Sequence, residues 1–222
     1  PHGQDEPVTR LMLHDMAAFC NALSEMEGRR PCYYADPEHA RVFRYRSLAT
    51  VARSPQRESD GKRMLGLLNA HNPDYESRPP ETLHVDWAAD GYRLPTPAEW
   101  ARAHAAGAPA DRGTDAERAE RTHPVGSKGP DAAGLCDMRG NVWEMCWPTG
   151  DALDPAAAPD LIALGGGLGG PRDAASPYGD VPAQGSYQVG LRLVRRESGQ
   201  PRPPSGPTDG SDAPAWVMRP GQ

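Results

Sequence analysis

The residues best placed for chemistry lie in the stretch Gly134-Leu135-Cys136-Asp137-Met138-Arg139-Gly140-Asn141-Val142-Trp143-Glu144. Two carboxylates, Asp137 and Glu144, bracket a turn centred on Gly140. Backbone carbonyls lie between them, and Trp143 can anchor the turn in a core. A short loop of this kind binds a hard cation such as calcium, which takes several oxygen ligands. Two carboxylates brought together repel unless a cation lies between them. The alternative is that Glu144 pairs with a nearby arginine and no ion binds. A structural role is expected, because no base stands beside an open coordination position.

Other residue types offer less. His84 and Asp86 form an H-x-D pair on a strand, half of a non-haem iron facial triad, but no third ligand is identifiable. His104 falls on a helix and His123 before a proline, positions that suit surface or capping roles. The four cysteines, Cys20, Cys32, Cys136 and Cys146, form no C-x-x-C zinc pair. Cys20, on an apolar helix face, reads as a buried free thiol. Free thiols throughout would fit a cytoplasmic protein; a Cys136–Cys146 bridge is also open. Gly165 to Gly170 holds five glycines among six residues. It lacks the Lys-Ser/Thr and the helix of a P-loop, so close backbone approach in a core is expected. No G-x-S-x-G nucleophile elbow occurs.

The elements that position these residues follow from pattern. Residues 8–13 read as a short strand leading into a helix that starts near Asp15 as N-cap. Met16, Phe19, Cys20, Leu23 and Met26 recur at helical spacing and mark its buried face, and Gly28 is its C-cap. Residues 36–80 show no sustained period and read as an expanded loop, with a short helix possible over Lys62–Asn69. Thr82–Trp87 alternates as a strand. Thr96-Pro97-Ala98-Glu99 opens a second helix: Thr96 caps, Pro97 stands where its missing N–H costs nothing, and Glu99 reaches back. That assigns Glu99 a structural role. Trp100 packs into the core, and Gly107 ends the helix. Residues 108–122 are polar and loop-like. From Ser198 onward the chain is too poor in apolar residues to offset ordering entropy, so 198–222 is expected to be a disordered tail.

Composition bounds the rest. A chain of 222 residues with 24 glycines and 25 prolines suits one loop-rich domain. A net charge of −6 gives no basis for nucleic-acid binding, which needs a basic face. No apolar run approaches a bilayer span, so no membrane partner is expected.

Several stretches are similar to one family. Gly91-Tyr92-Arg93-Leu94-Pro95-Thr96-Pro97-Ala98-Glu99-Trp100 is similar to G-Y-R-L-P-T-E-A-E-W. Residues 134–144 are similar to G-L-(Y)-D-M-x-G-N-V-W-E. Pro7-Val8 with His14 to Ser24 is similar to P-V-x-x-V-S-W-x-D-A-x-x-F-C-x-W-L-S. Gly165-Gly166-Gly167 stands where the family has R-G-G-S, and Gly190-Leu191-Arg192 where it closes with G-F-R. On these matches, in order over residues 7–194, the chain resembles the formylglycine-generating enzyme superfamily. That superfamily includes sulfatase-modifying factors, the C-terminal domain of sulfoxide synthases, and non-catalytic relatives.

The resemblance implies an α+β, C-type-lectin-like fold over residues 1–197: two helices flanking a small twisted antiparallel sheet, with much irregular chain. It implies a calcium site with side-chain ligands Asp137 and Glu144 and carbonyls of Gly140 and Val142. The family's second calcium site has no counterpart between Gly107 and His123. The aerobic enzymes hold copper(I) on two cysteines five residues apart after R-G-G-S, and here the run from Gly165 to Tyr178 has no cysteine. The sulfoxide synthases take iron from an upstream domain not seen here. Copper and iron are therefore not expected, nor is formylglycine generation. The polar loop after the glycines, with Arg172, Asp173, Tyr178, Asp180, Gln184 and Tyr187, matches the family's ligand-binding face. Only six residues precede Pro7, so the family's first strands are expected from a preceding segment or a second chain.

The function expected is binding without catalysis. The ligand would be a protein or small molecule, as in sensor domains or the variable proteins of diversity-generating retroelements. The alternative is a metal-dependent oxidoreductase acting on a thiol-containing substrate, with part of its site supplied by the missing N-terminal segment or a partner.

Overall fold

The computed structural model describes residues 5–9, 11–44, 82–107, 122–148, 150–153, 161–167 and 188–197. Helix α1 spans Leu13–Met26 and helix α2 spans Pro97–Gly107. The strands are β1 (Tyr33–Tyr34), β2 (Leu83–Val85), β3 (Tyr92–Arg93), β4 (Trp143–Cys146), β5 (Ala152–Leu153), β6 (Ile162–Leu164), β7 (Val189–Leu191) and β8 (Val194–Arg195). The helix suggested at Lys62–Asn69, most of the 36–80 and 108–122 loops, and the tail lie outside the described residues.

Helix α1 begins two residues before Asp15. Its N-cap is Met12, and Asp15 stands three residues into the structure, where its Oδ2 accepts the Met12 N–H at 2.9 Å. The carboxylate thus still serves an orphan donor of the first turn, from inside the helix. Residues 8, 9, 11 and 12 form no strand. Gly28 follows the C-cap Glu27 with φ +67°, the left-handed value that ends helices.

The buried face of α1 is rotated from the expected stripe. Leu13, Met16, Ala17, Cys20, Asn21 and Ser24 are buried, Phe19 and Leu23 are half-buried, and Met26 is 42% exposed. Two polar residues explain the rotation. Asn21 donates through Nδ2 to the carbonyls of Tyr33 (2.8 Å) and Phe43 (2.9 Å), and its Oδ1 accepts the amides of Cys32 (3.1 Å) and Tyr33 (3.0 Å). Ser24 Oγ donates to the Cys20 carbonyl and accepts the Tyr92 N–H, both at 2.7 Å. A helix face that stitches irregular chain needs polar groups inside it, because buried backbone donors and acceptors must be satisfied.

Three small sheets pack around α1 and α2 among the described residues. One has the order β1-β2-β5, another pairs β3 with β8, and the third has the order β6-β4-β7. The first two are antiparallel; in the third, β4 runs antiparallel to β6 and parallel to β7. The single antiparallel sheet expected is therefore several short ones with one parallel pair. Sheet β6-β4-β7 matters most for the site. All four residues of β4 are buried, because it is covered on both faces. Trp143 and Met145 join the main core with Met16, Tyr33, Leu83 and Trp147. Cys146 packs on the other side with Trp100, Met138 and Leu164. Alternation along a strand sends Glu144 to that second side. No helix among the described residues is long and apolar enough to cross a membrane.

Candidate functional site

The turn before β4 has three constraints on its backbone. Asp137, Gly140 and Asn141 take left-handed φ of +56°, +78° and +67°. Asp and Asn are the non-glycine residues that tolerate this conformation best. Their side chains also hold the turn in place. Asp137 Oδ2 accepts the Gly126 N–H at 2.6 Å, and Asn141 exchanges two 3.1 Å bonds with the backbone of His123. Gly140 donates its N–H to the Gly165 carbonyl at 2.7 Å, tying the turn to the end of β6.

Glu144 sits at the centre of β6-β4-β7, opposite Leu164 on one side and Gly190 on the other. Its carboxylate receives three donors. Arg192 gives Nε to Oε2 at 2.7 Å and Nη2 to Oε1 at 2.6 Å, and the Trp100 indole N–H reaches Oε2 at 2.7 Å. Arg192 Nη2 also donates to the Cys136 carbonyl at 2.8 Å. Donors on both oxygens leave no acceptor for a carboxyl proton, so this geometry is that of the ion pair. Burial pushes the Glu144 carboxyl up, the Arg192 bonds, its charge and the Trp100 bond pull it back, and Asp137 adds to the push; the net direction is upward. Arg192 ends above its usual value, because the Glu144 bonds outweigh burial. The partners shift in opposite senses of benefit because of depth: the Glu144 side chain is 7% exposed and that of Arg192 is 23%.

This geometry bears on the calcium set Asp137, Gly140, Val142 and Glu144. Glu144 already carries a cation, the guanidinium, and its oxygens are committed to three donors. A calcium ion using Glu144 would have to displace Arg192. Asp137 keeps one buried oxygen, Oδ1, without a hydrogen-bond partner. That oxygen alone does not complete a shell of six to eight ligands. As a set, the four residues do not fit the ion in this conformation. Among the described residues, no three His, Cys, Asp or Glu side chains gather as a metal site would need.

The remaining sequence candidates stand apart. Asp86 closes the turn after β2: its Oδ1 accepts the Ala88 N–H at 2.8 Å, and its Oδ2 lies 3.6 Å from Arg30 Nε. Both of its oxygens are thus engaged within this turn and by Arg30. His104 stacks on Trp100 at 5.2 Å and accepts the Arg139 Nε–H at 3.1 Å, which makes it a support for the Glu144 cluster. Glu99 is structural: Arg93 donates to both of its oxygens, at 2.7 and 2.6 Å, and the Thr96 N–H donates at 2.9 Å. All four cysteines are free. Burial pushes the Cys20 and Cys146 thiols far up and Cys32 to about 12. Such thiols stay protonated and unreactive at neutral pH.

The glycine cluster makes close backbone approaches. A Cβ on Gly167 would lie 2.5 Å from Trp143 Cδ1, and one on Gly165 3.2 Å from Trp100 Cζ2. At the other end, Trp143 donates its N–H to the Gln188 carbonyl at 2.8 Å. Both ends of the 168–187 segment are thus fixed against β4. Arg172, Asp173, Tyr178, Asp180, Gln184 and Tyr187 themselves lie outside the described residues.

Comparison with known proteins decides the family. A model of the sulfatase-modifying factor enzyme 1-like domain matches residues 1–197. The chain belongs to that family. It is 26% identical over 226 residues to a chaperone protein, LppX, of Paenibacillus barcinonensis, covering 87% of this chain and 71% of the relative. The crystal structure of CarF shares the fold with a TM-score of 0.58 and 24% identity, over 87% of this chain and 68% of that one. Variable protein 1 of Treponema denticola superposes with a TM-score of 0.57 and 25% identity, over 88% and 73%.

Within this family the chain keeps the scaffold, and its own run from Gly165 to Tyr178 holds no cysteine. The residue that sequence reasoning passed over is Arg192. It stands in the closing Gly190-Leu191-Arg192 stretch, and the sequence offers a nearby arginine as a partner for Glu144 without naming which one. Trp100 was placed in the core correctly, but its indole N–H also needed an acceptor, as buried tryptophans do.

Proposed function

We propose that this domain binds a ligand, by preference another protein, without catalysing a reaction. The observation that carries the proposal is the combination of a rigid base and unreactive thiols. The described strands nearest to residues 168–187 on either side, β6 and β7, flank β4, while three of the four thiols are buried and held protonated. Segments anchored at both ends on a rigid scaffold are where binding residues concentrate. The relatives named a chaperone and a variable protein support a macromolecular partner. Arg172, Asp173, Tyr178, Asp180, Gln184 and Tyr187 would supply the contacts, since tyrosine and arginine contribute most at protein interfaces.

Two measurements test this. The purified chain, incubated with a C-x-P-x-R peptide with and without copper, is expected to give no aldehyde by mass spectrometry. Chemical cross-linking of the intact chain in its native extract should give a discrete partner band. That band should be lost in Tyr178→Ala/Tyr187→Ala while the melting temperature stays unchanged. Aldehyde formation above background, or a partner retained by the double variant, overturns the proposal.

A further inference from the structure

We propose that the guanidinium of Arg192 is the built-in cation of the Asp137–Glu144 turn, standing where the resemblance puts calcium, so that the domain holds this turn without a divalent ion. The inference is independent of what the domain binds. A calcium ion in such a turn would join its two ends by drawing oxygens together. Arg192 joins the same two ends. Its Nη2 reaches the Cys136 carbonyl, one residue before Asp137, and its Nε and Nη2 clamp both oxygens of Glu144. Planar bidentate pairing of this kind is what a guanidinium does best, and arginine carries its charge at every accessible pH.

Three features support the assignment. Arg192 directly follows β7, whose Gly190 pairs with Glu144, so the backbone register itself brings the guanidinium to the carboxylate. Gly190 lets β7 seat closely at this register: a Cβ there would lie 2.8 Å from the Val8 carbonyl and 3.1 Å from Val142 Cγ2. The Nη2 bond to the carbonyl of Cys136, the residue before Asp137, carries the guanidinium to the other end of the turn as well. A divalent ion entering beside a fixed guanidinium would be repelled by it.

The test is thermal melting of the chain stripped with chelator, with and without millimolar calcium, together with calorimetric titration of calcium alone. The expected result is an unchanged melting temperature and no saturable heat. The Arg192→Met variant is expected to melt well below the wild type and, with Asp137 and Glu144 left uncompensated, to gain a calcium-dependent rise. A wild-type melting temperature raised by several degrees in calcium, and no longer raised in Asp137→Asn, overturns the inference. So does an Arg192→Met variant that melts with the wild type. If Arg192→Met does not fold, the wild-type titration decides alone: no heat supports the inference and a saturable site refutes it.

Discussion

Two of the arginine–glutamate pairs among the described residues, Arg93 with Glu99 and Arg192 with Glu144, differ in reach. Arg93 and Glu99 are six residues apart and meet at the start of α2, with contacts of 2.7 and 2.6 Å. Arg192 and Glu144 are separated by 48 residues and meet across β4 and β7, at 2.7 and 2.6 Å. The bond lengths are nearly the same, but the surroundings are not. The Glu99 side chain is 27% exposed and caps a helix, whereas that of Glu144 is 7% exposed and lies among Trp100, Met138, Cys146 and Leu164. For Glu99, burial pushes the carboxyl up but the Arg93 bonds and charge, with Thr96, overcome it and leave it below its usual value. For Glu144, burial wins. The local pair, with Arg93 6% and Glu99 27% exposed, ties the end of β3 to the first turn of α2; the long-range pair, with Glu144 7% exposed, fixes how β4 meets the chain that follows β7.

The largest effect should come from breaking the deep pair on one side. Arg192→Met strands a buried carboxylate and is expected to cost about 3–5 kcal/mol in chemical denaturation. A loss under about 1 kcal/mol would place the pair with ordinary surface bridges. Trp100→Phe keeps an aromatic ring but removes one donor from Glu144 and leaves part of the buried indole volume empty, for an expected loss of about 2–4 kcal/mol.

Glu99→Gln should cost least, about 1 kcal/mol, because the amide can still cap Thr96. Its pH dependence sharpens the contrast. A carboxyl lowered in the folded state stabilises above its unfolded value, about 4.3, and that gain is lost as pH falls through the folded pKa. Glu144 is raised, so its share is present below about pH 4.3 and lost as pH rises through its folded value. The gap between wild type and Glu99→Gln should therefore widen with pH over the acid range, and the gap for Glu144→Gln should narrow. Equal slopes in denaturation series at several pH values would erase the distinction.

The same contrast explains what could be read in the sequence. Thr96, Pro97 and Glu99 carry a capping signal within four residues, and the structure shows that cap, with Gly28 ending α1 and Trp100 in the core. The family's motifs gave the fold class. The buried face of α1 was misplaced because Asn21 and Ser24, polar by type, are inside: they hold β1, the Phe43 carbonyl and β3, partners that lie 11 to 68 residues away. For Glu144 the sequence leaves two partners open, a hard cation or a nearby arginine. Which arginine lies beside it is set by strand register, since Gly190 pairs with Glu144 and Arg192 follows two residues later.

The most direct measurement is a double-mutant cycle on Glu144 and Arg192, with Glu144→Gln, Arg192→Met and the two combined, read by denaturant unfolding. If these side chains form one internal ion pair, each single variant is strongly destabilised, and the double variant recovers about 2 kcal/mol or more of the summed loss, since neither charge is left stranded. Single losses that add to within about 0.5 kcal/mol would show the two residues acting independently and would contradict it.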